Sequence, residues 1–269
     1  TQVGAVDFIE KPVSIAKLLM TVERALTQAQ DDRGSAHSGM EDDNVMEPLG
    51  RSAVVQSLRE NLEKVAEHDT PVLVVGEPGV GKYSMARWIH AHSKQRSGPF
   101  VAISADLLAG DGEAGTVLDF QNPDQGPLGK AQGGSLVIEN IGQLADELQA
   151  PLARFLESIT HQKASGAPAP RLMATTHECL KTKVRAGHFD ENLYYQLSVL
   201  SVEVPPLRDR RDDLPDLVRF YAEYFPAQEG LPYRPFSVGA QNKLRQYDWP
   251  GNLRELKNLI QRLLVLGQE

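Results

Sequence analysis

The feature that most constrains the fold is a glycine-rich turn placed between a strand pattern and a helix pattern. Residues 71–75 read PVLVV, a continuous apolar run typical of a buried parallel strand. Residues 76–83 read GEPGVGKY, which has the spacing G-x-x-x-x-G-K, and a helix is predicted from Lys82 to about His92. A strand, such a turn and a helix in this order predict a phosphate-binding loop within a parallel α/β sheet.

The chemistry expected of this turn is the binding of a phosphate chain. Glycines let consecutive backbone N–H groups turn toward an anion, the following helix N-terminus adds partial positive charge, and Lys82 supplies a point charge. Tyr83 stands where the general motif has Ser or Thr, so the usual hydroxyl ligand of Mg²⁺ is missing unless Ser84 replaces it. The alternative is a glycine turn with an exposed lysine. The predicted ligands of ATP or ADP here are Gly76, Glu77, Pro78, Gly79, Val80, Gly81, Lys82, Tyr83 and Ser84.

Strand and helix patterns alternate along the rest of the chain up to Pro205, and only helix patterns follow. Further strands are predicted at 100–104, 135–140, 171–177 and 201–204, with helices at 52–67 and 145–159. Strands that alternate with helices indicate a parallel, doubly wound sheet. After Pro205 and Pro206 the strand pattern stops, and a small all-α subdomain is predicted from helices near 212–226, 236–247 and 252–266.

Composition excludes several classes of protein. The chain has 269 residues, and 36 acidic against 28 basic side chains give a net charge of −8, so we expect any DNA-binding part to lie elsewhere. Cys179 is the single cysteine, which excludes a disulfide framework. Neither a transmembrane helix nor a signal peptide is predicted, and the cytoplasm is the expected location. A start without methionine and an end within a helix pattern suggest a fragment.

Five segments, in the same order, resemble the AAA+ domain of sigma-54-dependent transcription activators, the NtrC-like response regulators. The resemblance covers residues 49–269 and rests on GEPGVGKYSMARWIHAHS, GGSLVIENIGQL, RLMATTHECL, HFDENLYYQLSVLSVEVPPLRDRRDDLPDL and YDWPGNLRELKN. Residues 4–28, GAVDFIEKP followed by an amphipathic helix pattern, resemble the end of a receiver domain in the NtrX style. In such receivers Lys11 would be the lysine that contacts the phosphoryl group.

The resemblance implies a P-loop AAA+ fold and a role in transcription. The implied division is a receiver remnant (1–29), a linker (30–48), a three-layer α/β core (49–206) and a helical lid (207–269), with ATP or ADP between core and lid. Arg254 would be the second sensor arginine on the phosphates, or else a surface arginine on a helix. Asn252 is expected to cap the last helix, and Trp249 to pack in the core. The implied partners are other subunits of a ring, a sensor kinase acting on the receiver, DNA through a helix-turn-helix outside this chain, and sigma-54 RNA polymerase.

The chain departs from the family pattern where hydrolysis is concerned. In the family, the strand that corresponds to residues 135–140 ends in Asp-Glu. This chain has Glu139 and Asn140 at those two positions. Glu139 could bind Mg²⁺, whereas Asn140 cannot accept a proton, and loss of a general base costs roughly 10²–10⁴-fold in rate. The alternative is a strand-end pair that contacts only water. His177 replaces the sensor asparagine, and a surface histidine is the equal alternative.

The elements that act on neighbouring subunits and on sigma-54 also differ. The two arginine-finger positions hold Asp190 and Gln196, and residues 105–132 contain no GAFTGA motif but a Gly/Asp/Pro-rich sequence that predicts a flexible loop. We therefore predict a nucleotide-binding module with weak or no hydrolysis and without the usual sigma-54 contact. An active ATPase that drives sigma-54 open-complex formation is the alternative. A small-molecule kinase would share the phosphate loop but not the lid segments.

Overall fold

A computed structural model describes residues 47–108, 120, 126–164, 168–229 and 232–267. The predicted receiver remnant (1–29), its helix pattern with Lys11, and nearly all of the linker (30–48) lie outside the described residues, as does much of the predicted loop at 105–132. These predictions therefore stay predictions.

Five parallel strands form the sheet. They are β1 (Val72–Val75), β2 (Phe100–Ser104), β3 (Ser135–Glu139), β4 (Arg171–Thr176) and β5 (Leu200–Glu203). Their spatial order is β2-β3-β4-β1-β5, so β1 lies between β4 and β5, with Val72 in register with Met173 and Leu200. The doubly wound parallel sheet is confirmed, with β3, β4 and β5 each ending one residue before the predicted boundary.

Successive residues of the strands face two different helical layers. Val72 and Val74 pack with α1 (Ala53–Ala66) and α2 (Lys82–Ala91), whereas Leu73 packs with α4 (Asp146–Ala164). Because side chains alternate across a strand, a continuous apolar run is buried on both faces of the sheet. Helices on both faces give the three-layer core that the strand pattern predicts.

The remaining helices are short in the core and longer in the lid. In the core they are α3 (Gly126–Lys130), α5 (Leu180–Arg185) and α6 (Glu191–Leu197). The lid has α7 (Leu214–Glu229), α8 (Val238–Gln246) and α9 (Asn252–Leu266), and its own apolar core includes Trp249. The Trp249 indole is buried and its Nε1 donates to the Leu244 carbonyl at 2.9 Å, so the prediction that it packs in the core is confirmed. In the described residues, every helix is too short or too polar to cross a membrane.

Two local predictions were wrong. Part of the predicted flexible loop is helix α3, which buries Leu128 against the core, and this burial outweighs the glycine content of the segment. Asn252 is not the cap of α9: the helix begins at Asn252 with Gly251 before it, and the Glu255 carboxylate accepts from the Gly251 N–H at 2.9 Å. The Asn252 side chain makes hydrogen bonds outside α9 instead.

Candidate nucleotide-binding site

The phosphate loop follows β1 and leads directly into α2, as the sequence predicts. Gly81 precedes Lys82, the first residue of α2, and has a φ of +94°, while Gly79 has a φ of +79°. Both angles lie in the left-handed region that favours glycine. At Gly79 there is also no space, because a Cβ would lie 2.2 Å from the carbonyl oxygen of Gly251 in the lid. The loop is therefore folded tightly and lies directly against the lid.

Lys82 is directed back over the loop that precedes it. Its half-buried ammonium donates to the carbonyl oxygens of Gly76 at 2.8 Å and Glu77 at 2.9 Å. These bonds hold the positive charge beside the turn where backbone N–H groups would meet an anion. The arrangement fits a phosphate chain, because the charge and the turn lie together at the helix N-terminus.

Tyr83 belongs to the packing between helix and sheet. Its ring contacts Phe100, the first residue of β2, edge-on with centroids 5.8 Å apart and planes at 84°. Ser84 is half-buried in the first turn of α2 and carries an aliphatic hydroxyl one residue after the usual position of the Mg²⁺ ligand.

Asn252 joins the lid to the phosphate loop. Its carboxamide is fully buried, and its Nδ2 donates to the Pro78 carbonyl at 3.0 Å and to Glu77 Oε2 at 3.2 Å. Its Oδ1 accepts from the Leu207 N–H at 2.8 Å, in the 3₁₀ segment Leu207–Asp213 that opens the lid. This role of Asn252 could not be predicted, since nothing in the local sequence pattern separates a capping asparagine from a bridging one.

Arg254 is exposed and reaches the loop through its backbone. Its N–H donates to the Gly79 carbonyl at 3.2 Å. The predicted second sensor arginine therefore lies next to the phosphate loop.

Arg208 and Glu77 form a bidentate ion pair between lid and loop. Arg208 Nη1 lies 2.8 Å from Glu77 Oε2, and Nη2 lies 2.5 Å from Oε1. The hydrogen bonds from Arg208, and then from Asn252, lower the pKa of Glu77 to about 2. Sequence reasoning missed this pair as well, because its two members are 131 positions apart.

We expect Arg208→Gln to raise the pKa of Glu77 toward its ordinary value. In the folded protein this pKa is about 2 rather than 4.5, so the pair contributes stability that is present above about pH 4.5 and lost as pH falls through about 2. Carboxyl-carbon NMR of Glu77 across an acid titration measures the shift. Arg211→Gln removes a comparably exposed arginine that pairs with Asp248, and it should leave Glu77 unchanged. An equal effect of the two variants would contradict the assignment.

The end of β3 carries the predicted catalytic positions. Glu139 ends the strand and is half-buried, and Asn140 follows it with a φ of +53°. Asn140 Nδ2 donates to Asp106 Oδ2 at 2.9 Å, and the Ser104 hydroxyl donates to the same oxygen at 3.2 Å. Asp106 follows β2, which lies on one side of β3, whereas β1 and the phosphate loop lie on the other side. The hydrogen bond to Asp106 therefore directs the Asn140 amide away from the phosphate loop.

The predicted sensor position, His177, and the basic residue Lys183 both follow β4 in the chain. His177 is exposed, one residue beyond the strand. Lys183 forms an ion pair with Glu178 and donates to the Gly142 carbonyl at 2.6 Å. Lys183 is therefore engaged within its own chain.

The two positions that the resemblance assigns to arginine fingers make contacts within the chain. The Asp190 carboxylate caps α6 by accepting from the Leu193 N–H at 2.7 Å, while the Asp190 N–H donates to Gln149 Oε1 at 2.7 Å. Gln196 Nε2 donates to Glu157 Oε1 at 3.0 Å. Neither side chain carries a positive charge.

Comparison with known families gives two matches that cover most of the chain. Residues 49–203 match the family described as the sigma-54 interaction domain, and residues 208–269 match the AAA+ ATPase lid domain. The core and the lid are thus each similar to a described family, in the order in which they occur here.

Similar proteins are named as transcriptional regulators. NtrC of Azospirillum brasilense is 35% identical over 98% of this chain and 57% of its own length. NtrX of Azorhizobium caulinodans is 34% identical over 98% of this chain and 60% of its own length. The chain therefore spans less than two thirds of these relatives.

Solved structures agree with the fold. The crystal structure of NtrX from Brucella abortus in complex with ADP superposes with a TM-score of 0.75 at 30% identity, covering 99% of this chain and 62% of that one. The same protein in complex with ATP gives a TM-score of 0.74 at 30% identity, covering 99% of this chain and 63% of that one.

Proposed function

Because the chain belongs to the sigma-54 interaction domain family, we propose that it is the ATP-binding AAA+ module of a two-component transcriptional response regulator whose hydrolysis is weak or absent. The observation that carries this proposal is Lys82, held over a glycine loop that the lid contacts directly. The ADP and ATP complexes of NtrX from Brucella abortus support a nucleotide at this place.

Magnesium would be held mainly by the nucleotide. Among the described residues there is no group of three or more His, Cys, Asp or Glu side chains that could hold a metal ion. Mg²⁺ commonly keeps several waters and uses one or two carboxylates plus substrate phosphates. Glu139 would supply one carboxylate at the end of β3 and Ser84 one hydroxyl in the first turn of α2, and these donor types fit a nucleotide-bound ion.

Slow hydrolysis follows from the chemistry of three positions. Asn140 cannot take a proton from water, and its amide is hydrogen-bonded to Asp106. Asp190 and Gln196 bring no positive charge to the fingers, and an arginine finger is worth about 10³–10⁵ in rate. The two losses remove different groups from the same phosphoryl-transfer step, so neither is expected to compensate for the other.

Several properties belong to the whole protein rather than to the described part. We expect self-association, a sensor kinase that acts on a receiver domain, and DNA binding through a helix-turn-helix beyond this chain. The DNA-binding part of this expectation is supported by NtrC of Azospirillum brasilense, which is named as a DNA-binding transcriptional regulator. The sequence of residues 105–132 lacks the family's contact motif, which argues against the usual sigma-54 contact. An active ATPase that opens sigma-54 promoters is the second candidate, and the family description favours it.

Lys82→Ala in the full-length protein tests the proposal. Titration calorimetry with Mg·ATP should show binding to the wild type, weakened roughly 10- to 100-fold in the variant, since hydrogen bonds to charged groups contribute about 1.5–3 kcal/mol. Lys64→Ala, which removes an exposed lysine from α1, should bind as the wild type does. Phosphate release should stay at background in all three proteins. Steady release that depends on Lys82 would instead establish the second candidate.

A further inference from the structure

The lid holds the phosphate loop at three consecutive residues. Glu77 is bound by Arg208 and Asn252, Pro78 by Asn252, and Gly79 by the Arg254 backbone. We propose that the Asn252 carboxamide and the Arg208 guanidinium are positioning groups, which hold the loop in its nucleotide-binding shape without touching the nucleotide. This inference rests on the proposed nucleotide binding.

Asn252 is committed to this contact by its burial and its hydrogen bonds. Both oxygen and nitrogen are engaged, with Oδ1 on Leu207 and Nδ2 on Glu77 and Pro78. Its φ of +53° lies in the left-handed region, which asparagine tolerates better than most residues. A buried carboxamide with these bonds is held in one orientation, because any turn of the side chain leaves a buried polar group without a partner. Asn252 therefore fixes Pro78 relative to the lid.

The Glu77 carboxylate is the point where the two positioning groups meet. Its Oε2 accepts from Arg208 Nη1 and from Asn252 Nδ2, while Oε1 accepts from Arg208 Nη2. A bidentate guanidinium–carboxylate pair fixes orientation as well as distance. The side chain that follows the first glycine of the loop is thereby held by two residues of the lid.

The backbone contact at Gly79 completes the attachment. The Gly79 carbonyl accepts from the Arg254 N–H at 3.2 Å, and the Gly251 carbonyl occupies the space of a Gly79 side chain. The directions of the loop N–H groups, which a phosphate chain would meet, thus depend on where the lid lies. Removing the hydrogen bonds from Asn252 and Arg208 should therefore weaken nucleotide binding even though no residue of the loop is substituted.

Arg208→Gln in the full-length protein is the first test, with Mg·ATP as the probe. Its dissociation constant should rise about fivefold or more, the lower end of a typical coupling between sites. Arg211→Gln is the matched control, since Arg208 and Arg211 side chains are 40% and 41% exposed and each pairs with one carboxylate. Arg211→Gln should bind within about twofold of the wild type. Equal affinities in Arg208→Gln and Arg211→Gln would overturn the role of Arg208.

A double-mutant cycle with Glu77→Gln separates positioning from direct contact. If Arg208 acts through Glu77, adding Arg208→Gln to Glu77→Gln should change the affinity little. If the guanidinium instead contacts the phosphates, Arg208→Gln should cost the same factor in both backgrounds. That result would overturn the positioning role.

Asn252→Asp tests the buried member of the network. The aspartate keeps an acceptor for Leu207 but loses the donor to Glu77 and Pro78, so affinity should fall about tenfold, and Glu77→Gln should partly restore it by supplying a donor. Thermal unfolding without nucleotide checks that each variant is folded. Wild-type protein that does not bind Mg·ATP would overturn the proposed function and this inference with it. Wild-type protein that binds, with Asn252→Asp and Arg208→Gln binding equally well, would overturn the inference alone.

Discussion

Gly79→Ala should weaken ATP binding roughly 100-fold, comparable to the effect of a misplacement of about 1 Å in a functional site. The added Cβ would lie 2.2 Å from the Gly251 carbonyl oxygen and 3.2 Å from the Arg254 Cβ. Neither atom is the end of a flexible side chain, so either the loop or the start of α9 must move. Movement of either one separates the phosphate loop from the lid that holds it.

Gly187→Ala is the matched control, because it shares the backbone strain but not the collision. Gly187 has a φ of +75°, close to the +79° of Gly79, and a Cβ added there would meet nothing within 4 Å. The left-handed alanine alone should lower the free energy of unfolding by about 1–2 kcal/mol in each variant, and the collision with Gly251 should add to this loss in Gly79→Ala only. Only Gly79→Ala should also lose affinity in calorimetry with Mg·ATP. If the two variants bind equally well, the contact between loop and lid does not exist in the nucleotide-bound protein.

The phosphate loop and the sheet could be predicted from the sequence because their signals are local. An apolar run, a glycine turn and a helix pattern lie within about twenty consecutive residues, and each part predicts the next. The burial of Trp249 was predictable for a similar reason, since a large aromatic side chain before a helix is most often packed. Helix α3 was not, because its glycine and proline content predicts a loop, and only burial of Leu128 against the core explains the helix.

The attachment of the loop to the lid could not be predicted. Glu77 and Asn252 are 175 positions apart, and neither residue type specifies a partner. At the finger positions, the sequence shows that arginine is absent but not what replaces its function. The structure shows what the two side chains do instead: Asp190 caps α6 and Gln196 donates a hydrogen bond to Glu157. The Asp190 cap is a local contact of the kind that short polar side chains make at helix starts, whereas Gln196 and Glu157 are 39 positions apart, and local periodicity does not encode such a partner.

Asp213→Ala should lower the free energy of unfolding by about 3–5 kcal/mol, the range seen when one member of a buried charge network is removed. The Asp213 carboxylate is buried at the end of the 3₁₀ segment Leu207–Asp213. It accepts from the backbone N–H groups of Arg51 at 2.6 Å and Ser52 at 2.7 Å, and from the Ser52 hydroxyl at 2.6 Å. It thus fastens the segment that enters α1 to the first turn of the lid.

Two further groups depend on this carboxylate. Burial lowers the pKa of Arg210, and the attraction of Asp213 opposes that shift, so removing Asp213 leaves a buried guanidinium with less compensation. Gly50 lies so close that a Cβ there would be 2.4 Å from the Asp213 carboxyl carbon. The close approach of Gly50 excludes water from the carboxylate. Without water, the N–H and O–H donors would have no other acceptor after Asp213→Ala, so the loss in free energy of unfolding is larger.

Asp212→Ala provides the comparison, because it removes the same side chain one position earlier. The Asp212 side chain is 82% exposed and pairs with Arg245 on the surface, where such pairs contribute about 0.2–1 kcal/mol. Denaturant unfolding followed by circular dichroism measures both variants, and the slope of the transition should be unchanged. Equal losses in Asp212→Ala and Asp213→Ala would mean that the junction between the entering segment and the lid contributes no more than a surface ion pair. A loss of stability in Asp213→Ala but not in Asp212→Ala would establish that Asp213 anchors the lid to the start of α1. The lid would then be fixed both to α1, through Asp213, and to the phosphate loop, through Asn252 and Arg208.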